Sequence, residues 1–179
     1  ATGDGNAVAG GDMQQIPIPT AADVMSRRVV TLRTNMRVID AMRALIRHRI
    51  SGAPVLDRNG NLVGLVSEFD CLRVVASGLY GHEELEDSEP LRRVMTSEVV
   101  TILPDADVFM ITQLLVDKRI RRVPVVVDGR VLGIVSRHDV LRGVHQLRRR
   151  QMKMQKRHAA KGLYLSAIDD SGEIANPFL

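Results

Sequence analysis

The residues of this sequence that are best suited to chemistry form one pattern that occurs twice, Ser67-Glu68-Phe69-Asp70 and Ser136-Arg137-His138-Asp139. A serine before a helix caps first-turn N–H groups, and an acid three residues later can accept a hydrogen bond from the backbone N–H of that serine. The pattern is therefore close to a capping box. It also suits a ligand, because N–H groups at a helix start favour an anion and a carboxylate can accept two hydrogen bonds from a cis-diol. A structural cap and a binding site are therefore both open.

Other reactive residues form no pattern that predicts catalysis or metal binding. The single cysteine, Cys71, excludes an internal disulfide, and the five histidines lack the spacing of zinc ligands. His138 and His145 lie seven positions apart, with no second ligand or orienting base at a usable spacing. The sequence contains neither a Gly-x-Gly-x-x-Gly nor a Walker motif. We expect no catalytic residue, no metal and no catalytic cofactor.

The two serine–aspartate patterns belong to an internal repeat. Residues 24–56 align with residues 94–126, and residues 60–75 align with residues 129–144. The identities include Val-Val-Thr at 29–31 and 99–101, Arg-Ile at 49–50 and 119–120, Pro-Val at 54–55 and 124–125, and Val-Ser at 66–67 and 135–136. Since only two copies are present, we expect neither a solenoid nor a propeller.

Each copy has the same order of predicted elements. An apolar stripe at helical spacing predicts one helix per copy, through Val38, Ala41, Met42, Leu45 and Ile46 in the first and Val108, Ile111, Thr112 and Leu115 in the second. Two short β-branched runs follow, joined by Asp57–Asn61 or by Asp128-Gly129, and they predict a hairpin. A second helix then begins behind Ser67 or Ser136.

Charge is distributed unevenly along the chain. The net charge is only +4, yet the isoelectric point is about 9.7, because 21 of the 25 basic residues are arginines. Seven basic residues and no acid lie in Gln146–Lys161. His82–Glu89, by contrast, is acidic. We therefore divide the chain into a disordered start at 1–19, a first repeat at 20–78, an acidic linker at 79–90, a second repeat at 91–145, and a basic helical extension with a tail at 146–179.

The last helix is predicted to continue beyond the second repeat. His145–Ala160 contains good helix formers without glycine or proline, and Gly162 is the expected stop. Its basic residues are spread nearly all round, with Leu147, Met152 and Met154 as a thin apolar seam. Such a helix could contact nucleic-acid phosphates, an anionic membrane or an acidic partner, or it could be a solvated arm that packs on a partner subunit. The scarcity of aromatic residues argues against recognition of single strands.

Several motif elements occur in order in both copies: Val-Val-Thr, then Arg-Ile-x-x-x-Pro-Val, then Gly-x-Val-Ser-x-x-Asp. With this set, the chain resembles a tandem pair of CBS domains, the unit called a Bateman module, over Ala21–Val144. The resemblance implies a mixed α/β (α+β) fold, in which each repeat is short strand–helix–strand–strand–helix, the two repeats are related by a pseudo-twofold, and the basic C-terminal helix extends from them. It also implies a regulatory module rather than an enzyme, with energy sensing as a typical role.

The ligands that the resemblance implies are adenosine compounds, such as AMP, ADP, ATP, S-adenosylmethionine or NAD, bound in two clefts. Asp70 and Asp139 would hold the ribose. The adenine or ribose side would be lined by Thr31, Val30, Ile50, Ala53 and Pro54, or by Thr101, Val100, Ile120, Val123 and Pro124. The groups that would approach phosphate are Ser67, Ser136, Arg121, Arg122, Arg137 and His138. A homodimer and a separate effector protein are the implied partners.

The two clefts are not expected to be equivalent. The second copy has Arg121 and Arg122 where the first has Ser51 and Gly52. Because arginine pairs bidentately with phosphate, a polyphosphate should prefer the arginine-rich cleft. We expect one tight site and one weak or empty site. In this family, however, the repeat that holds the ribose can receive its phosphate contacts from the other repeat.

Two classes of function follow. One is a sensor of adenosine-containing ligands that relays their occupancy to a separate protein. The other is a dimerising scaffold whose basic helix, at residues 146–161, binds nucleic acid or an acidic protein partner. The sequence has no run of about 18 apolar residues and no secretory signal, so we expect a cytoplasmic protein without a membrane span.

Overall fold

Residues 16–76 and 90–166 are described by a computed structural model, with side-chain burial as far as residue 160. They fall into two units: Pro19–His145 holds both repeats, and the other unit includes the last helix from Gln146 onward. The predicted disordered start and acidic linker lie mostly outside the described residues, as does the tail beyond Ser166. In the described part of the chain, no helix combines the length and the apolar character that crossing a bilayer requires.

The first repeat contains the predicted elements and one more. In chain order they are α1 (Ala21–Val24), β1 (Leu32–Arg33), α2 (Val38–His48), β2 (Gly52–Leu56), β3 (Leu62–Ser67) and α3 (Glu68–Ala76). Strand β1 is parallel to β2, and β2 is antiparallel to β3, so the sheet order is β1-β2-β3. The additional element is α1, which begins with a capping box between Thr20 and Asp23.

The second repeat follows the same plan. A 3₁₀ turn (Leu91–Arg93) precedes α4 (Val108–Asp117), the antiparallel strands β4 (Arg122–Val127) and β5 (Arg130–Ser136), and α5 (Arg137–Ser166). The predicted first strand is reduced to one parallel bridge between Ile102 and Val125. Helix α5 runs past Gly162, so the predicted stop there is wrong. A single glycine costs a helix only about 1 kcal/mol relative to alanine, too little by itself to end it.

The hairpin turns use the predicted residue types. In the second repeat, Asp128 and Gly129 have φ angles of 49° and 78°, both positive as a type I′ turn requires. The longer turn of the first repeat closes through Asp57, whose carboxylate accepts a hydrogen bond from the Asn61 backbone N–H at 2.8 Å. That bond holds the pKa of Asp57 below its ordinary value. The turn chemistry was therefore predictable from local sequence.

The buried faces of α2 and α4 agree with most of the predicted apolar stripes. Ile46 is an exception, since it is 76% exposed. In the same turn of α2, Ala44 is buried instead. Thr112 is also exposed, and its hydroxyl donates a hydrogen bond to the Val108 carbonyl at 2.6 Å. The apolar stripes predicted the two helices, but they extend beyond the buried face at Ile46 and Thr112, because the core covers a narrower face of each helix than the stripe does.

Each repeat's core is completed by the segment that leads into the other repeat. Ala21 and Val24 of α1 are buried in the core of the second repeat, and Leu91 of the 3₁₀ turn is buried in the core of the first. The Ala21 N–H donates to the Ala106 carbonyl at 2.7 Å, and the Leu91 N–H donates to the Met36 carbonyl at 2.9 Å. The two repeats are therefore interlocked rather than independent.

Two glycines allow this exchange. A Cβ atom on Gly64 would lie 3.1 Å from the Thr96 carbonyl oxygen, and one on Gly133 would lie 3.0 Å from that of Ser26. Those distances are short enough that a side chain would push the crossing segment away from the sheet. In each repeat, the second hairpin strand therefore packs closely against the segment that precedes the other repeat: Gly64 against Thr96, and Gly133 against Ser26.

Candidate functional site

A cleft of about 570 Å³ is lined by both repeats. The first repeat contributes the start of β2, the end of β3 and the start of α3, and the second contributes residues before α4 and at the start of β4. The lining residues from the first repeat are Ser51, Gly52, Ala53, Leu65, Val66, Ser67, Glu68, Phe69, Asp70 and Leu72. Those from the second repeat are Thr96, Glu98, Val99, Val100, Ile120, Arg121 and Arg122.

The capping box predicted at Ser67 and Asp70 is formed at the rim of this cleft. Asp70 Oδ2 accepts hydrogen bonds from the Ser67 backbone N–H at 2.8 Å and from its hydroxyl at 2.6 Å. The equivalent Asp139 Oδ2 accepts from the Ser136 N–H and hydroxyl at 2.9 and 2.6 Å. The capping interpretation is thus confirmed in both repeats, and each cap uses only one carboxylate oxygen.

The second oxygen of the two aspartates differs. Asp139 Oδ1 accepts a hydrogen bond from Arg142 Nη2 at 2.7 Å, and this forms an ion pair. Asp70 Oδ1 receives no hydrogen bond from any residue that the structure describes. A ligand hydroxyl can therefore bind Asp70 without displacing a protein donor, whereas at Asp139 it would compete with Arg142.

Arg122 ties the two repeats together inside the cleft. Its Nη1 donates to the Gly52 carbonyl at 3.0 Å, and its Nη2 donates to the Ser51 hydroxyl. Burial lowers the pKa of Arg122, while the nearby Glu68 carboxylate opposes that shift. The guanidinium stays charged at neutral pH because the ordinary pKa of arginine lies far above 7. Arg122 therefore acts first as a bridge.

Arg121 lines the same cleft and is exposed. Its side chain makes no hydrogen bond or ion pair with the described residues. Glu68 and Glu98 also line the cleft, so the two guanidinium groups share it with three carboxylates. The cleft suits a ligand with one anionic group more than one with a high negative charge.

A search for known families identifies the repeat. The CBS domain matches this chain at residues 21–77 and again at 91–146. The chain belongs to the CBS domain family. Its two matched segments correspond to the interlocked repeats, and we refer to the unit that holds them as the CBS pair.

Some of the solved structures similar to this CBS pair contain adenosine compounds. The CBS domain pair of protein MJ0100, in complex with 5′-methylthioadenosine and S-adenosyl-L-methionine, has a TM-score of 0.61 at 30% identity and covers 70% of this chain and 95% of its own. CBSX2 in complex with AMP has a TM-score of 0.63 at 29% identity and covers 72% of this chain and 98% of its own. CBSX2 is from Arabidopsis thaliana.

An enzyme is also among the relatives. The A-adding tRNA nucleotidyltransferase of Aquifex aeolicus is 32% identical over 124 residues, which are 69% of this chain but only 14% of that enzyme. The chain therefore spans a small part of this relative, and the similarity is limited to a region of CBS-pair size.

The cleft brings together part of the predicted site. Predicted residues that line it are Ala53, Ser67, Asp70, Val100, Ile120, Arg121 and Arg122. The other predicted residues, all within the described ranges, do not line it, namely Val30, Thr31, Ile50, Pro54, Thr101, Val123, Pro124, Ser136, Arg137, His138 and Asp139. The Ser67–Asp70 rim of one CBS repeat thus faces apolar and arginine residues of the other.

The four cations predicted around one phosphate are not brought together at this cleft. Arg121 and Arg122 line it, whereas Arg137 and His138 do not. Arg137 folds back on its own repeat, where its Nε donates to the Ile120 carbonyl at 3.0 Å. The start of α5 adjoins the start of β4, since the Arg137 backbone N–H also donates to the Arg121 carbonyl at 3.1 Å, but the side chains of Arg137 and His138 are not part of this cleft.

Sequence reasoning missed the acceptors of Arg122. Ser51 and Gly52 occupy the positions that align with Arg121 and Arg122 of the other repeat. A comparison of the copies could have suggested that these residues contact each other, since two small residues align with two arginines of the other repeat. Glu68 and Glu98 were also not predicted as lining residues, and no local motif marks them.

Cys71 follows Asp70 in α3 and is buried. Burial raises the pKa of its thiol, and the Asp70 carboxylate raises it further. The thiol is therefore protonated at neutral pH, which does not favour a role as a nucleophile. Among the described residues, no group of three or more His, Cys, Asp or Glu side chains could hold a metal ion.

Proposed function

We propose that this CBS pair is a regulatory module that binds an adenosine-containing ligand in the cleft described above. The observation that carries the proposal is the meeting of a capped helix start with an available carboxylate oxygen, an apolar wall and two arginines at one cleft of about 570 Å³. Small-ligand pockets commonly have volumes of this order. The AMP and S-adenosyl-L-methionine complexes of similar chains support the same ligand class.

Each group of the cleft has a distinct part in the proposed complex. Asp70 Oδ1 accepts a hydrogen bond from a ribose hydroxyl, while Oδ2 remains in the cap. Val99, Val100 and Ile120 provide the apolar surface for adenine. Arg121 pairs with a phosphate or carboxylate group of the ligand, because it is exposed and has no protein partner among the described residues.

The ligand prediction is tested by isothermal titration calorimetry of the full chain with AMP, ATP and S-adenosylmethionine. We expect one tight site per chain and tighter binding of AMP than of ATP, since Glu68 and Glu98 repel additional phosphates. Asp70→Asn keeps the size of the side chain and removes the charge. It should weaken binding by about tenfold, which corresponds to the loss of about 1.4 kcal/mol from one charge-assisted hydrogen bond.

Asp139→Asn is the matched control, because Asp139 has the same cap but its second oxygen is paired with Arg142. Binding at the tight site should be unchanged in this variant. Loss of binding in Asp139→Asn with normal binding in Asp70→Asn would move the ribose contact away from this cleft. The absence of heat and of any thermal stabilisation with all three ligands at millimolar concentration would contradict the proposed function itself.

The proposed output is a homodimer that passes ligand occupancy to a separate effector protein. Both repeats expose apolar side chains at aligned positions, with Ile46 and Val116 at 76% and 65% exposure and Leu72 and Leu141 at 62% and 69%. In the first repeat, these residues border an apolar groove of about 360 Å³ between α2 and α3. A surface that recurs under the pseudo-twofold is suited to an isologous contact, in which the same patch is used by both subunits.

A further inference from the structure

The last helix carries a surface that ligand binding in the cleft does not use. Residues 146–166 of α5 contain no aspartate or glutamate. At 100° per residue, Arg149, Arg150, Lys153, Lys156 and Arg157 fall within an arc of about 120°. Arg148, His158 and Lys161 lie outside that arc. We call the five residues within the arc the basic stripe. Five of the seven lysine and arginine residues in Gln146–Lys161 therefore lie on one side of the helix.

The basic stripe is accessible and concentrated. All five side chains are exposed. Gln146, Arg149, Arg150 and Lys153 surround a shallow recess of about 210 Å³, so three of the cations converge on one place. From Arg149 to Arg157 the helix rises about 12 Å at about 1.5 Å per residue. Five positive charges over that length approach the spacing of phosphates on a duplex, which is one per about 1.7 Å of axis.

We propose that the basic stripe binds the phosphate backbone of double-stranded DNA, with α5 lying along the major groove. An α-helix with its side chains is about 10–12 Å across, and the major groove is about 12 Å wide. The corresponding groove of double-stranded RNA is too narrow for side chains to enter. Contacts from arginine and lysine to phosphate position a protein without selecting a sequence.

Other anionic partners fit the helix less well. A membrane surface requires a continuous apolar face, but Met152 and Met154 lie about 160° apart around the helix, and Leu147 is buried. Single strands require several aromatic side chains on which successive bases stack, and residues 146–166 contain only one aromatic residue, Tyr164. The acidic segment His82–Glu89 of this same chain is a protein-like competitor, and it is included as one arm of the test.

The test is fluorescence anisotropy of the full chain with a labelled DNA duplex of mixed sequence, at salt concentrations from 50 to 200 mM. We expect binding that weakens steeply with salt. Arg149→Gln should reduce the slope of log K against log salt by about 0.9, and Arg149→Gln combined with Lys153→Gln and Arg157→Gln should reduce it by about 2.7. Arg148→Gln is the matched control, since Arg148 is adjacent, exposed and outside the stripe.

Four outcomes would overturn the proposal. They are no binding of the duplex at 50 mM salt, equal effects of Arg148→Gln and Arg149→Gln, equal or tighter binding of a double-stranded RNA of the same sequence, and displacement of the duplex by a peptide of residues 82–89 at a concentration comparable to that of the DNA. The last result would assign the stripe to an acidic protein segment. Glutamine is a good helix former, so each variant should retain α5. Circular dichroism of each variant checks this.

Discussion

Arg122 shows how one residue makes two similar repeats unequal. Its aligned position in the first repeat is Gly52, and the Arg122 guanidinium donates to that glycine's carbonyl and to the Ser51 hydroxyl. The long side chain of one repeat thus reaches the main chain of the other. Arg122 and both of its acceptor residues line the cleft, so the bridge lies within the proposed binding site.

Arg122→Met tests the bridge. It keeps an unbranched side chain but removes hydrogen bonds to a half-buried charged group, so we expect the free energy of unfolding to fall by about 1.5–3 kcal/mol. The measurement is urea unfolding followed by circular dichroism. Arg121→Met is the matched control and should change stability by less than about 0.5 kcal/mol, because Arg121 is exposed. Equal destabilisation by the two substitutions would show that the bridge is not what stabilises this part of the cleft.

At the scale of elements, the aligned helices α2 and α4 begin differently. Asp107 caps α4, where its carboxylate accepts hydrogen bonds from the N–H groups of Phe109 and Met110 at 2.8 and 2.9 Å. The aligned residue before α2 is Arg37, which makes no side-chain cap. Helix α4 therefore satisfies two first-turn N–H groups that α2 leaves to other partners, and its start depends on one side chain.

Asp107→Ala should lower the free energy of unfolding by about 1 kcal/mol, the usual cost of removing an N-cap side chain. The change is measured as a shift in the midpoint of urea unfolding at constant slope. Asp105→Ala is the control, because Asp105 is an exposed acid two residues earlier that makes no cap. If both variants lose the same stability, the effect comes from removing a negative charge near the helix and not from the cap.

At the scale of the whole CBS pair, the leading segments are exchanged between the repeats. Each hydrophobic core contains residues from the other repeat's leading segment, including Ala21, Val24 and Leu91. The free energy of folding is thus shared, and neither repeat has a complete core alone. The outer faces of the helices are apolar at aligned positions, and they are the surface proposed for the homodimer.

The dimer proposal predicts that Ile46→Glu with Leu72→Glu produces a monomer, because two carboxylates on each subunit would have to be buried in an apolar contact. Sedimentation velocity of the full chain measures the mass. Leu103→Glu is the control, since Leu103 is also an exposed leucine, at 58%, but lies outside the groove. A wild-type chain that sediments as a monomer, or a dimer that survives the double substitution, would contradict this interface.

The sequence by itself determined the duplication, the order of elements in each repeat, the hairpin turns, the two capping boxes and the continuation of the last helix. Each of these depends on residues within a few positions of one another, so local spacing is sufficient. The predicted helix end at Gly162 was wrong, because one glycine destabilises a helix too little to end it when the neighbouring residues favour the helix. The apolar stripe did not predict that Ile46 is exposed, because the width of the buried face of a helix depends on the elements that pack against it.

Only the tertiary structure decided which residues meet at the cleft. Asp70 faces Val100, Ile120 and Arg121 of the other repeat, and Arg122 finds its acceptors 70 and 71 positions away. Those contacts arise from the pseudo-twofold and from the crossing of the leading segments, and no spacing along the chain encodes them directly. The types of the binding groups were therefore visible in the sequence, while their grouping into one site is a property of long-range packing.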